Sequence, residues 1–83
     1  MTVTQVRYVR EIAACGSMTK AAEKFYISQP ALSEQMKALE AELGCTLFWR
    51  SARGTELTEA GERFCREATP VIRAWEKFER SCA

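Results

Sequence analysis

Apolar side chains recur every three or four residues over most of this chain, which is the spacing of helices with one buried face. The first run predicts a helix from about residue 3 to residue 14, with Thr2 and Gln5 forming a capping box at its start. A second, short helix is predicted over residues 17–25. Only residues 26–28 separate it from the next run, so these two helices should form a helix-turn-helix.

The third run, residues 28–43, has two faces of opposite character. Ser28 is a good N-cap, and Pro30 lies in the first turn, where its missing N–H costs no helical hydrogen bond. One narrow apolar stripe is expected to pack inward, formed by Leu32, Met36, Leu39 and Leu43. The other face carries a mixture that a core helix does not need, namely Gln29, Pro30, Ser33, Glu34 and Lys37. We expect that face to point at a partner.

Two short runs of strand character follow, at residues 47–50 and 55–57. A four-residue loop that ends in Gly54 separates them. This arrangement predicts a small β-hairpin, which beside a recognition helix is called a wing.

The last predicted helix begins at Thr58 and extends to the end of the chain. Its apolar positions alternate at intervals of three and four, as in a heptad seam, and are Gly61, Phe64, Ala68, Val71, Trp75, Phe78 and Cys82. Pro70 either kinks this helix or restarts it with Thr69 as a cap. The apolar spacing passes through Pro70 without a change of phase, which favours one kinked helix.

This last helix carries an apolar strip that a small domain cannot cover by itself. We therefore expect a homodimer contact between two such helices, with the interface formed by Phe64, Ala68, Val71, Trp75 and Phe78. The length of 83 residues supports this expectation, because it lies near the lower limit at which one apolar core suffices without a partner.

The net charge of +1 by itself argues weakly against a nucleic-acid partner. The distribution of charge along the chain is more informative than the net charge, because the acidic residues are most frequent from Glu40 onward. The segments before and around the hairpin carry basic residues that could share one surface, namely Lys20, Lys24, Lys37, Arg50 and Arg53. A local basic patch is therefore compatible with the composition.

The residues that build metal and catalytic sites are scarce. There is no histidine, and the four cysteines form no C-x-x-C pair, so only all four thiolates together could complete a zinc site. Without histidine or aspartate, no nucleophile with its base can be assembled. We expect no metal, no cofactor and no enzymatic activity. The polar start resembles neither a signal peptide nor a membrane span, which predicts a cytoplasmic protein with reduced thiols.

Five short segments resemble, in order and spacing, the N-terminal domain of LysR-type transcriptional regulators. They are AAE, ISQPALS, ALE-x-ELG, LF-x-R and LTEAG, at residues 21–23, 27–33, 38–44, 47–50 and 57–61. The resemblance implies a mainly α fold: a winged helix-turn-helix of three helices and a β-hairpin wing over residues 1–57, then a linker and dimerisation helix over residues 58–83. It also implies a bacterial regulator that binds double-stranded DNA as a dimer or tetramer. Family members usually continue into an effector-binding domain, which we do not expect within these residues.

The resemblance places the start of the third helix in the major groove, where each base pair presents a distinct pattern of donors and acceptors. The residues expected at the bases are Gln29, Pro30, Ser33 and Glu34. Those expected at the DNA backbone, or on the wing at the flanking phosphates or minor groove, are Ser17, Thr19, Lys20, Ser28, Lys37, Arg50 and Arg53. Hydroxyls, lysines and helix N-termini suit phosphate oxygens.

Glu34 departs from the resemblance, since the family usually has arginine there. A carboxylate is repelled by phosphates, so Glu34 either accepts a hydrogen bond from a cytosine N4 amine or is held away from DNA by Lys37 or Lys20. A second function class is a protein-interaction module, because winged helices are also used in that way. Such a module would be expected to have an apolar patch where Gln29 and Ser33 stand.

Overall fold

Four helices and one two-stranded sheet make up the fold in the computed structural model, which describes residues 1–83. In chain order the elements are α1 (Val3–Cys15), α2 (Met18–Lys24), α3 (Gln29–Leu43), β1 (Phe48–Ser51), β2 (Gly54–Leu57) and α4 (Glu59–Cys82). The predicted order of elements and the winged helix-turn-helix class are confirmed. None of the helices combines the length and the apolar character needed to cross a membrane.

Each helix begins at a side chain that caps it. At α1 the capping box is complete: the Gln5 N–H donates to Thr2 Oγ1 at 3.0 Å, and the Thr2 N–H donates to Gln5 Oε1 at 2.9 Å. Ser17, Ser28 and Thr58 accept hydrogen bonds in the same way at the starts of α2, α3 and α4. The helix boundaries are therefore fixed by short local sequence signals.

The main core lies between the first three helices and the base of the hairpin. It consists of Val9, Ile12, Met18, Ala21, Ala22, Leu32, Met36, Leu39, Leu47 and Phe48. The apolar stripe predicted for α3 reaches this core except at its last position. Leu43 is 37% exposed, because α3 ends there and its final turn extends past the core.

The hairpin is tighter than the sequence suggested. Ser51 pairs with Gly54, so only two residues, Ala52 and Arg53, form the turn instead of the predicted loop of four. Gly54 has φ of +123°, a backbone conformation that glycine adopts far more easily than other residues, and it begins β2. The glycine that was interpreted as the end of the loop is therefore the first residue of a strand.

The last helix runs through Pro70 without interruption, so the alternative of a restart with Thr69 as a cap is wrong. Instead, the Thr69 hydroxyl donates to the Cys65 carbonyl at 2.8 Å, within the helix. The first part of α4 lies directly on the hairpin: a Cβ added to Gly61 would collide with the Leu47 carbonyl oxygen. Glycine therefore permits the close approach of α4 to the backbone of Leu47, the residue before β1.

A second, small core fixes α4 to α1. It consists of Val6, Ala68 and Ile72, and Ile72 is only 1% exposed. The predicted seam is thus divided between two faces of α4. Gly61 and Ala68 are buried within the chain and Phe64 packs against both cores, whereas Val71, Trp75 and Phe78 face solvent.

Candidate nucleic-acid interface

A shallow depression lies between the first turns of α3 and strand β1. Its lining consists of Gln29, Pro30, Ser33, Glu34, Lys37 and Arg50, with no hydrophobic side chain apart from the proline ring. All six residues are among those predicted from the sequence. The depression joins the helix start, which should read bases, to the first strand of the wing.

Ser33 occupies a different position from the one expected. It was placed on an exposed face, but the residue is only 8% exposed. Its hydroxyl makes no hydrogen bond within the chain. Every fully buried side-chain oxygen of the chain has a hydrogen-bond partner, so the Ser33 hydroxyl must be partly accessible to solvent. The hydroxyl is therefore the part of Ser33 that reaches the floor of the depression. A ligand must come close to the helix to contact it.

Glu34 stands at the rim of the depression and is exposed. The chain has three ion pairs, which join the N-terminal ammonium to Glu42, Arg7 to Glu79, and Lys24 to Glu11. Glu34 takes part in none of them. The structure therefore contains no ion pair by which Lys37 or Lys20 would hold this carboxylate away.

The basic residues around the depression are also free of ion pairs. They are Lys20 on α2, Lys37 on α3, Arg50 on β1 and Arg53 in the hairpin turn, and all four are exposed. By contrast, Lys24, which was included in the possible basic patch, is paired with Glu11 at 3.3 Å. Lys37 and Arg50 thus line the depression as unpaired cations, and Lys20 and Arg53 are unpaired on α2 and in the hairpin turn.

The start of α2 lies beside the wing. Ser17 caps this helix by accepting from the Lys20 N–H at 3.1 Å, and Thr19 is exposed in the first turn. The residue before the cap, Gly16, accepts a hydrogen bond from the Thr55 N–H of β2 at 3.1 Å. Ser28 similarly caps α3, accepting from the Ala31 N–H at 3.2 Å. The predicted phosphate-contacting residues therefore stand at two capped helix starts and on the hairpin, apart from Lys37, which lies further along α3.

Two of the four thiols have altered acidity. The pKa of Cys15 is raised mainly by its hydrogen bond to the Glu11 carboxylate, at 3.3 Å, and also by burial. Burial raises the pKa of Cys65. Raised pKa values lower the thiolate fraction, so neither thiol has the character of a reactive redox centre. No group of three or more cysteine and glutamate side chains is placed to hold a metal ion.

The bacterial regulatory helix-turn-helix proteins of the LysR family match residues 3–62 of this chain. The chain belongs to the LysR family. Among relatives of this family, the transcriptional regulator YcgK of Bacillus subtilis (strain 168) is 50% identical over 74 residues, which are 89% of this chain and 23% of YcgK. The chain spans 23% to 35% of the length of YcgK and two further relatives.

Solved structures of LysR-family domains superpose on the whole chain. The CbnR DNA-binding domain in a DNA complex is 41% identical with a TM-score of 0.87, covering 98% of this chain and 94% of that one. The BenM DNA-binding domain bound to its catB site 1 DNA is 33% identical with a TM-score of 0.92, covering 99% and 92%. This LysR-family chain therefore has the fold of these DNA-binding domains.

Sequence reasoning missed two residues that position the interface of this LysR-family domain. Glu40, on α3, accepts hydrogen bonds through Oε2 from the N–H groups of Leu47, at 2.6 Å, and Phe48, at 3.3 Å. No local sequence signal distinguishes it from an exposed helical glutamate. Ile72 was also missed, although Cys65, Ala68 and Ile72 have helical spacing that could have indicated a second, inward face of α4.

Proposed function

We propose that this chain binds double-stranded DNA sequence-specifically and so regulates bacterial transcription. In this proposal α3 enters the major groove with the depression facing the bases, and the hairpin wing lies at the flanking backbone or minor groove. The observation that carries the proposal is the polar depression at the start of α3, whose lining includes two cations, Lys37 and Arg50, that make no ion pair within the chain. Phosphate neutralisation supplies much of the affinity of such complexes.

Each residue of the depression has a role that follows from its chemistry. The Gln29 amide can pair with N6 and N7 of adenine, and the Pro30 ring offers an apolar edge to a thymine methyl group. Ser33 can donate or accept at a base edge, and its depth requires the helix to enter the groove closely. Glu34 stands beside them at the same surface.

The remaining residues position the protein without reading sequence. We assign phosphate contacts to Ser17, Thr19 and Lys20 at the start of α2 and to Ser28 at the start of α3, because helix starts and hydroxyls suit phosphate oxygens. Lys37, Arg50 and Arg53 extend this set from α3 to the wing. The DNA complexes of CbnR and BenM support this assignment, since both contain domains of the same fold bound to DNA.

The proposal divides the chain into two parts and includes a homodimer. Residues 1–57 form the DNA-reading unit, and residues 58–83 form the linker and dimerisation helix.

On α4 the side chains of Val71, Trp75 and Phe78 are 60%, 39% and 58% exposed and form an outward stripe. Leu43 and Val71 also line one apolar cleft, so the stripe continues onto the body of the domain. Phe64 and Ala68 support this surface from within.

A protein-interaction module is less well supported. The surface at the start of α3 has a polar and charged lining, whereas a protein partner would be expected to meet an apolar patch there. The relatives are transcriptional regulators, and the proposal assigns no enzymatic reaction and no cofactor to this chain. The cytoplasm is the proposed place of action.

Binding of a fluorescein-labelled pool of random-sequence duplexes, measured by anisotropy across a range of salt concentrations, tests the proposal. The wild type should bind, and the logarithm of its affinity should fall linearly with the logarithm of salt concentration. Lys37→Ala and Arg50→Ala should each reduce that slope by about one per protomer, because each removes one phosphate contact.

Lys77→Ala is the matched control. It removes an exposed lysine from α4, outside the proposed interface, and should leave the slope unchanged. No binding by the wild type at low salt, or equal slopes for Lys37→Ala, Arg50→Ala and Lys77→Ala, would contradict DNA binding by this surface.

A further inference from the structure

Glu34 is the one acidic side chain in the depression. It shares the lining with two cations, Lys37 and Arg50, and with the polar side chains of Gln29 and Ser33. It makes no hydrogen bond and no ion pair within the chain, and it is exposed. No structural role therefore accounts for a carboxylate at this point.

A carboxylate at a base edge can only accept hydrogen bonds, which restricts the bases that it can face. Guanine presents the acceptors O6 and N7 in the major groove, and thymine presents the acceptor O4 and a methyl group. Adenine presents the N6 donor beside the N7 acceptor, which repels a carboxylate. Cytosine presents the N4 amine as a donor without a neighbouring acceptor of its own. Cytosine is thus the base that a glutamate fits best.

The surroundings of Glu34 make such a contact physically reasonable. Lys37 and Arg50 line the same depression, so their positive charges can offset part of the repulsion between the carboxylate and nearby phosphates. One charged hydrogen bond to the cytosine amine replaces the hydration that Glu34 loses. Removal of the carboxylate would leave that amine without its partner.

We propose that Glu34 is a specificity-determining residue that selects cytosine at one position of the DNA site, beside the base read by Gln29. The inference rests on the DNA-binding function proposed above. It predicts that the carboxylate lowers affinity for DNA in general, by repulsion of phosphates, while favouring sites that carry cytosine at this position.

Selection of sites from a random duplex pool with the wild type identifies the preferred position. The selected sites should carry one invariant cytosine in each half-site, and it should be lost in a parallel selection with Glu34→Ala. Glu34→Gln should move the preference at that position to adenine, and Glu34→Arg should move it to guanine. Both substitutions change an exposed side chain, and circular dichroism should show an unchanged fold.

A double-mutant cycle, in which the protein and the DNA are changed in turn, then measures the contact between Glu34 and the cytosine. Affinities of the wild type and Glu34→Ala are determined on the selected duplex and on duplexes in which the cytosine is exchanged. The wild type should lose roughly 5- to 150-fold in affinity on exchange, the discrimination of one good base contact, and Glu34→Ala should show less than about twofold difference. The quantity compared is the ratio of each protein's affinities for the two duplexes. General repulsion between the carboxylate and phosphates affects both affinities equally and cancels in this ratio.

Glu62→Gln, which removes an exposed carboxylate from α4, is the control and should keep the wild-type discrimination. If Glu34→Ala still binds and discriminates at every position as the wild type does, the assignment to Glu34 is wrong while DNA binding stands. If the wild type binds no duplex in the pool, the DNA-binding proposal fails and the inference fails with it.

Discussion

The carbonyl oxygen of Gly16 accepts a hydrogen bond from the Thr55 N–H at 3.1 Å, which joins the turn between α1 and α2 to the second strand of the wing. The neighbouring Gly54 approaches the same carbonyl so closely that an added Cβ would lie 2.7 Å from its oxygen. The wing is therefore held against the body of the domain by backbone contacts, and its orientation depends on two glycines.

Substitution of Gly54 by alanine should destabilise the domain more than a substitution at Gly44. Both glycines have positive φ, but a Cβ at Gly44 meets no atom within 4 Å, whereas at Gly54 it collides with the Gly16 carbonyl. We expect a loss of about 1 kcal/mol for Gly44→Ala and at least about 2 kcal/mol for Gly54→Ala. Urea unfolding measures both values, and equal losses would show that the contact with Gly16 is unimportant.

Removal of the Glu40 carboxylate should loosen the wing. Glu40→Ala leaves the N–H groups of Leu47 and Phe48 without an acceptor, at a cost of about 2 kcal/mol, while Glu40→Gln keeps an acceptor and should cost less. Hydrogen exchange at these two amides should accelerate in Glu40→Ala. Glu42→Ala, which breaks only an exposed pair with the N-terminal ammonium, should cost less than about 1 kcal/mol. Unchanged exchange at Leu47 in Glu40→Ala would refute this role.

Trp75→Glu should convert the proposed dimer into a monomer, because it places a charge within the outward stripe of α4. Sedimentation velocity over a range of protein concentrations measures the change. Arg80→Gln alters the net charge by the same amount but projects from α4 about 180° away from Val71, so it should leave the dimer intact. A wild-type chain that stays monomeric at high concentration would disprove the dimer contact.

The Glu11–Cys15 pair should slow alkylation of Cys15 and make stability depend on pH. The hydrogen bond raises the pKa of Cys15 and lowers that of Glu11, so at pH near 8 iodoacetamide should modify Cys15 more slowly than the exposed Cys45. Glu11→Gln removes the anionic acceptor and should speed modification of Cys15 without affecting Cys45. Peptide mapping by mass spectrometry follows both sites, and an unchanged Cys15 rate in Glu11→Gln would contradict the pairing.

The two pKa shifts also determine where this pair stabilises the fold. The stabilisation from Cys15 is complete below its unfolded pKa and is lost as pH rises through the higher folded pKa. The stabilisation from Glu11 is present above its unfolded pKa and is lost as pH falls through the lower folded pKa. The pair therefore contributes between these limits, around neutral pH. Glu11→Gln should reduce the free energy of unfolding there, and reduce it less at both extremes of pH.

Local signals were sufficient to predict the helices and the order of elements. Thr2, Ser17, Ser28 and Thr58 were identified as helix-start residues, and all four are caps in the structure. A cap depends on the next three residues only, so sequence alone can reveal it. Most residues that line the depression could be predicted in the same way, because they lie on α3 and their spacing along that helix places them on its polar face.

Features that depend on distant parts of the chain were not predictable. The burial of Ser33 depends on what packs beside α3, and the role of Glu40 depends on amides seven and eight residues later. The position of Gly54 in a strand depends on pairing with Ser51. In each case a tertiary contact, absent from the local pattern, decides the outcome.

The complete burial of Ile72 against α1 has a consequence for symmetry. The helix α4 packs on α1 at Ile72 and is joined to it again by the Arg7–Glu79 ion pair, at 3.2 Å, so these contacts set the orientation of α4 relative to the first three helices. In a twofold dimer, the crossing angle of two such helices then fixes the distance and the relative rotation of the two α3 helices. In the proposed dimer, the small core of Val6, Ala68 and Ile72 would therefore help to set the spacing of the half-sites on DNA.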